Sequence, residues 1–314
     1  MIHAFSLRAL RDGKAVRIGN YTYRELLMNK LGYDFMQLCR RNRDGSHTTQ
    51  YQRARSLRAM SRDLQDLGYR NLRAESLKPK HVEALVSHWR DNGLGDATLK
   101  NRMAHVRWWA EKVGKSSVIP RDNSALGIAD RAYTAQVSRA QELDPRVLSI
   151  PDERIQASLV LQREFGLRRE ESMKIQPAIA DRGDQLVLQG SWTKGGRERE
   201  IPIRTESQRL ALDQAHRLAG SRSLIPEDRS YARHLKHYEY QLGKAGLSRM
   251  HGLRHAYAQS RYQELTGRVA PAAGGMASSE LTPEQRDQDK EARLAISREL
   301  GHEREQITAI YLGR

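Results

Sequence analysis

From Tyr23 to about Lys115 the apolar residues return every three or four positions, and this spacing constrains the fold more than any other feature of the chain. The series are Leu26, Leu27, Leu31, Phe35, Leu38; Leu57, Met60, Leu64, Leu67; Val82, Leu85, Val86, Trp89; and Leu99, Met103, Val106, Trp109, Val113. Such a period puts each series on one stripe of an α-helix, and stripes that must leave water pack against one another. A bundle of four or five helices is expected. Turn chemistry separates the helices at Arg43 to Ser46 (RDGS), at Gly68 and at Asn92 to Asp96 (NGLGD), with Asp96 placed to cap the last one. Cys39 is the single cysteine, which excludes an intramolecular disulfide and a cysteine-built zinc site; its place in RELLMNKLGYDFMQLCRR makes it a helix core residue.

The pattern changes further along. Residues 116–150 carry prolines, scattered polar residues and weak periodicity, as a linker does. A second domain then begins near Pro151 with the helix PDERIQASLVLQREFG, the proline at its first position. QLVLQGSWT and REREIPI have the composition of short strands, and Lys194, Gly195 and Gly196 between them suit a hairpin turn. Helical patterns resume after Thr205, broken by residues 266–289 (TGRVAPAAGGMASSELTPEQRDQD), a composition expected of a mobile insertion. The expected organisation is an N-terminal extension over 1–20, a helical domain over 21–115, a linker over 116–150 and a second domain over 151–314. The fold class is mainly α with a small β-sheet.

Lys and Arg number 54 against 38 Asp and Glu, a formal charge of +16. The summed field of such a chain draws polyanions, which makes nucleic acid the leading partner. Thr98, Lys100, Asn101, Arg102, His105 and Arg107 form a basic outer side on one predicted helix, suited equally to phosphates or to plain solvation. No stretch reaches the roughly 20 apolar residues of a membrane-spanning helix, and the N-terminus lacks a signal-peptide core. A cytoplasmic, nucleoid-associated protein without membrane contact is expected.

Four separated pieces of the second domain suit the handling of a phosphodiester. In Gly166-Leu167-Arg168-Arg169-Glu170-Glu171, Arg168 can hold two phosphate oxygens in its fork while Glu171, three residues on, orients it. Such a pair, alone, is more often a surface ion pair. In TKGGREREIPI, Lys194 at a hairpin tip can reach a leaving oxygen, although a charged tip is usually only solvated. In His251-Gly252-Leu253-Arg254-His255, a titratable group and a permanent cation lie three apart on one helical face. His251 and His255 at i and i+4 resemble half a metal site, but neither an intervening Glu nor a cysteine assists, and a structural role for His255 is the simpler one. His302 and Tyr311 close the chain, nine residues or about 2.5 helical turns apart. The chain must therefore bend between them if both serve one site.

In this order the pieces resemble the tyrosine recombinase, or phage integrase, family: Gly166-Leu167-Arg168, Lys194 before Ile201-Pro202, His251 to His255, Leu300-Gly301-His302, and Tyr311. The resemblance covers residues 150–314 by specific motifs, and 23–115 as a helical, SAM-like core-binding module. It implies a C-shaped clamp on double-stranded DNA, formed by that module and an α+β catalytic domain. It further implies that Tyr311 attacks a DNA phosphodiester to give a 3′-phosphotyrosyl link, with bond energy conserved and neither ATP nor metal required. Arg168 and Arg254 would hold the scissile phosphate, His302 would add a hydrogen bond, Lys194 would protonate the departing 5′ oxygen, and His251 would move the tyrosine's proton. A phenol, titrating near 10, attacks poorly at neutral pH unless cations converge on it.

The resemblance also implies a homo-tetramer on paired DNA sites, an accessory or directionality factor, and no cofactor. The span of 48 residues from Arg254 to His302 is longer than the family pattern, and the excess coincides with 266–289, to which DNA or protomer contact is assigned as an expectation. After Tyr311 only Leu312, Gly313 and Arg314 follow, so either inter-subunit docking differs or Tyr311 lies on the exchanged element. An integrase of a mobile element is the leading function. A non-cleaving DNA-binding accessory protein and a type IB topoisomerase are the alternatives.

Overall fold

The structure is a computed structural model that describes residues 29–130, 134–135, 137–302 and 305–314, the side chain of Glu305 apart, and the backbone of 17–18 and 21–22. Two short strands, β1 (Arg17–Ile18) and β2 (Tyr21–Thr22), pair antiparallel. The remainder of the extension expected over 1–20, with Tyr23, Leu26 and Leu27, lies outside the described residues. The chain divides into two compact units, residues 1–131 and 132–314.

The first unit contains four α-helices among the described residues: α1 (Lys30–Arg41), α2 (His47–Asp66), α3 (Pro79–Asp91) and α4 (Asp96–Lys112). Short polar side chains start the first two, Asn29 accepting from the Gly32 amide and Ser46 from that of Thr49, so donors with no helical partner are satisfied. The predicted stripes form the core, with Phe35, Leu57, Met60, Leu64, Leu85, Leu99, Met103, Val106 and Trp109 all fully buried. Each such side chain contributes about 1.5–3 kcal/mol on leaving water, and Phe35 meets Trp109 edge-on at 4.7 Å. Leu67 departs from the expectation: it lies just past the last turn of α2 and is exposed. Gly95, not Asp96, caps α4; Asp96 sits one residue inside, where its charge still favours the helix N-terminus. Cys39 is half-buried and packs against this core.

The expected linker over 116–150 is divided between the units. Ile119 and Ile128 join the first core, whereas Val147 and Ile150 are buried in a cluster of the second. Its 3₁₀ turns are too short to show a stripe.

In the second unit, α5 (Glu153–Glu164) is followed by α6 (Arg169–Lys174), α7 (Pro177–Ala180) and the hairpin β3 (Gln185–Leu188) and β4 (Arg199–Pro202). Asp152 caps α5 by accepting from the Arg154 amide, so Pro151 stands before the cap and not at the first helical position. The hairpin is antiparallel, Leu188 opposite Arg199 and Gln185 opposite Pro202. Leu186, Leu188 and Ile201 face the core. Helices α8 (Glu206–Ala219), α9 (Tyr231–Lys244), α10 (His251–Thr266), α11 (Pro283–Glu299) and α12 (Glu305–Leu312) complete the unit. Phe165, Leu167, Tyr257, Ile296, Leu300 and Leu312 share one core with the hairpin, which ties the pieces carrying the motifs to a single scaffold.

The segment 266–289 is not the mobile insertion its composition suggested. Ala270, Ala272 and Leu281 are buried, a 3₁₀ turn spans Pro271–Ala273, and α11 begins at Pro283. The missed signal is Thr282-Pro283-Glu284-Gln285, in which Thr282 and Gln285 cap each other's amides around a first-position proline. Asp289, Ala292, Arg293 and Ile296 then follow at helical spacing on the buried side.

Candidate active site

Gly166 begins the site. Its φ of 60° belongs to the left-handed region, and a Cβ there would lie 2.5 Å from the Tyr257 ring and 2.9 Å from Leu300, so only glycine fits. This turn delivers Arg168 to the N-cap of α6 and Glu171 to its third residue. Glu171 is wholly buried, a placement costing several kcal/mol for an unpaired carboxylate. It is fully paired instead. The Arg168 amide and Nη1 donate to it at 2.7 Å each, and Arg199 Nη1 and Nη2 donate at 3.0 and 2.6 Å. Burial alone would raise its carboxyl; the bonds and charge of Arg199, then the charges of Arg168 and Arg254, hold it down at about 2.

His251 and Arg254 occupy the first turn of α10, as their spacing predicted. Arg254 is 1% exposed. Its Nη1 donates to the Gly166 carbonyl and its Nη2 to that of Leu300, while Nε donates to Tyr311 Oη at 3.1 Å. Nη2 also lies 3.3 Å from His302 Nε2. A guanidinium can only donate, so His302 Nε2 accepts there and the ring is neutral with its proton on Nδ1. Burial lowers the Arg254 guanidinium to about 10 while the nearby Tyr311 opposes the shift; it stays a cation at neutral pH.

His302 and Tyr311 do not share one helix: His302 stands ahead of α12, which begins at Glu305, and residues 303–304, where a bend between them would fall, lie outside the described residues. α11 stops at Glu299, Gly301 turns the chain at φ 66°, and His302 returns its amide to the Ser297 carbonyl at 2.8 Å. A Cβ on Gly301 would stand 3.0 Å from Arg199 Cδ, so the turn rests directly on that arginine. α12 then carries Tyr311 back beneath α10, anchored by Gln259 Nε2 to the Tyr311 carbonyl at 2.9 Å and by the Ala135 amide to the Ala309 carbonyl at 3.0 Å.

Tyr311 is 5% exposed and ringed by imidazoles: centroid distances are 4.6 Å to His255, 5.9 Å to His302 and 6.0 Å to His251. All three titrate below the ordinary histidine range. Desolvation and then the charges of Arg254, Arg168 and Arg199 hold His302 at about 3. Desolvation, His251, Arg139 and Arg254 hold His255 at about 4. His251, whose edge is exposed, is lowered by the crowding around its ring first and then by Arg254 and Arg168. The cage is thus cationic through its arginines and neutral through its histidines.

Five of the six predicted site residues, Arg168, His251, Arg254, His302 and Tyr311, therefore share one centre. Lys194 does not: it is exposed in the turn between β3 and β4, with no hydrogen bond or ion pair to the other five among the described residues. Sequence reasoning missed two participants. Arg199 passed as one charge among several in REREIPI, although its alternation with the buried Ile201 marked it as inward-facing. His255 was set aside as structural, yet its spacing of i+4 from His251 was the signal that both reach one aromatic ring.

A four-helix unit is thus followed by a mainly helical unit with a small β-hairpin, in which arginines and histidines enclose Tyr311. The family profile described as "Phage integrase, N-terminal" matches residues 28–119, and that described as "Integrase" matches residues 120–260. The chain belongs to the tyrosine recombinase, or phage integrase, family. No curated protein matches it by sequence. Among solved structures it is similar to the Tn1549 transposon integrase in complex with circular intermediate DNA, at 13% identity, 91% of this chain, 96% of that one and a TM-score of 0.54. It is also similar to the XerH site-specific recombinase bound to difH substrate in a pre-cleavage complex, at 15% identity, 89% and 80% coverage and a TM-score of 0.53. These likenesses establish the fold. Site-specific recombination, with DNA cleavage and rejoining, is the activity the family supports.

Proposed function

We propose that the protein is the integrase of a mobile element, cutting and rejoining double-stranded DNA through a 3′-phosphotyrosyl intermediate. The observation that carries this reading is the convergence on Tyr311 of one buried arginine and three imidazoles, with Arg168 close enough for its charge to act on Arg254, His251 and His302. Tyr311 Oη and His302 Nε2 occupy donors of Arg254. A scissile phosphate supplies better acceptors, since its anionic oxygens pair charge with charge and can take the guanidinium fork at two points, which a phenol and an imidazole do not. Its arrival would release Tyr311 for in-line attack on phosphorus. Arg168 and Arg254 would then hold the non-bridging oxygens as charge builds on them, with His302, its proton moved to Nε2, donating a third bond.

His251, neutral at pH 7 and open at one edge, is suited to take the phenolic proton. Lys194 would protonate the leaving 5′ oxygen, which requires the β3–β4 turn to approach the DNA. Double-stranded DNA is the proposed partner, consistent with the +16 charge and with the DNA complexes of both structural relatives. A tetramer on paired sites and an accessory or directionality factor belong to the same proposal. Incubation with a nicked suicide substrate tests it: the wild-type chain forms a covalent adduct and Tyr311→Phe does not. Absence of adduct on every candidate site would leave a DNA-binding protein that does not cut, and relaxation of arbitrary supercoiled plasmid would indicate a topoisomerase.

A further inference from the structure

We propose that Arg199, on β4, is a positioning residue of this centre: it sets Arg168 through the Glu171 carboxylate and seats the Gly301–His302 turn through the Glu299 carbonyl. The proposal rests on the recombinase reading above. Arg199 is 8% exposed and has no hydrogen bond or ring contact to Tyr311 among the described residues. Each of its three nitrogens nonetheless donates to an element of the site. Its two terminal nitrogens grip both Glu171 oxygens, at 3.0 and 2.6 Å, and its Nε donates to the Glu299 carbonyl at 2.9 Å. Glu171 in turn binds the Arg168 amide and Nη1. Glu299 ends α11, and Gly301 lies against the Arg199 side chain two residues later. One strand residue therefore ties the N-cap of α6 to the turn carrying His302.

The guanidinium shape is needed for this. A planar fork holds a carboxylate at two points and leaves a third N–H for the carbonyl, whereas an ammonium on a flexible stem holds one partner at a time. With the fork lost, Glu171 follows Arg168 alone and the Gly301 turn loses its support. A misplacement of about 1 Å in a catalytic constellation costs on the order of 100-fold in rate. A pair that merely braced the fold would lower stability and leave the chemical step untouched.

The test uses the full chain with Arg199→Lys and Arg199→Met. Single-turnover cleavage of a nicked suicide DNA at saturating protein is compared with DNA affinity and thermal melting. Arg199→Lys is expected to fold, to bind DNA within about twofold of wild type, and to cleave on the order of 10- to 100-fold more slowly, with Arg199→Met slower again. In an Arg168→Lys background, Arg199→Lys is expected to add less than its loss in the wild-type chain, because part of its effect passes through Arg168. Cleavage by Arg199→Lys within about threefold of wild type, fully additive losses in the double variant, or unfolding of both single variants would overturn the proposal. If the wild-type chain itself forms no adduct, the recombinase reading fails and this inference fails with it. An adduct from the wild-type chain together with unimpaired Arg199→Lys sinks the inference alone.

Discussion

Arg254 Nε donates to Tyr311 Oη across 3.1 Å, inside a cage that leaves the guanidinium 1% exposed. The two residues are 57 positions apart in sequence, so the contact is made by the fold and not by a local turn. Tyr311→Phe removes the hydroxyl that accepts from Arg254, and its expected cost in stability is about 1 kcal/mol, with DNA affinity retained and the covalent adduct abolished. Arg254→Lys is more severe. A single ammonium cannot reach the Gly166 and Leu300 carbonyls together with a phosphate, so cleavage should fall on the order of 100- to 1000-fold and stability by about 2–4 kcal/mol. Single-turnover cleavage and urea denaturation of both variants check the pair. Arg254→Lys cutting at the wild-type rate would remove Arg254 from the mechanism.

The helical bundle was legible because apolar period is a local property: Leu57, Met60 and Leu64 announce their stripe in any context. The motif residues of the second unit were legible as types and in order. What the sequence concealed was pairing across distance. Nothing in REREIPI states that Arg199 faces Glu171, 28 residues earlier, because burial of a charged side chain follows from its partner's position. The segment 266–289 was misjudged for a related reason: its Gly, Ala and Pro content resembles a flexible loop, while small size is what lets Ala270 and Ala272 be buried. The Lys194 turn shows the opposite limit, since its place in the motif order gives no distance to the other five.

Gly166→Ala should damage both folding and the site. The new methyl would meet the Tyr257 ring at 2.5 Å in a backbone conformation that L residues avoid, and the Gly166 carbonyl is a partner of Arg254. An overpacking cost of about 1–3 kcal/mol adds to roughly 1 kcal/mol for the left-handed backbone. Denaturation should show a loss of about 2–4 kcal/mol. A neutral substitution would mean that Tyr257 and Leu300 yield freely.

Acid should destabilise the second unit in two windows. His255 is buried and held at about 4, against 6.5 for an ordinary histidine, and His302 at about 3. The unfolded chain then binds protons that the folded chain refuses, so this contribution is fully present above about pH 6.5 and is lost as pH falls toward 4 for His255 and toward 3 for His302. For His255 the loss reaches on the order of 3 kcal/mol. Glu171, held at about 2 against an ordinary 4.5, has the same sign lower down: its contribution is present above 4.5 and lost toward pH 2. Melting temperature against pH should bend downward first near 6.5, and His255→Phe should flatten the slope between 6.5 and 4. An unchanged slope in that variant would show that His255 is not the group protonated on unfolding.

DNA affinity should fall steeply with salt. A chain of charge +16 that neutralises 6–10 phosphates releases their counterions, and binding then weakens by about 10³- to 10⁵-fold between 50 and 200 mM salt. Titration of a labelled duplex over that range measures the slope. A flat response would separate the net charge from DNA binding altogether.

Arg293 should matter to cleavage although it lies beyond the cage around Tyr311. It is 2% exposed, with Nε donating to Asp289 at 2.7 Å and Nη1 to the Gly313 carbonyl at 2.9 Å. Tyr262 Oη, on α10, donates to the same Asp289 at 2.6 Å, so the middle of α11 is joined to α10 and to the end of α12 through one buried pair. Removing the cation by Arg293→Met strands a buried carboxylate, and about 3–5 kcal/mol of stability should be lost. Arg293→Lys keeps the charge and forfeits one of the two attachments. The end of α12 is then held less tightly, and Tyr311 samples its position beneath Arg254 less often. Adduct formation by Arg293→Lys is expected to drop about tenfold with DNA affinity unchanged. Equal single-turnover rates for this variant and the wild type would show that the Gly313 attachment has no part in presenting the tyrosine.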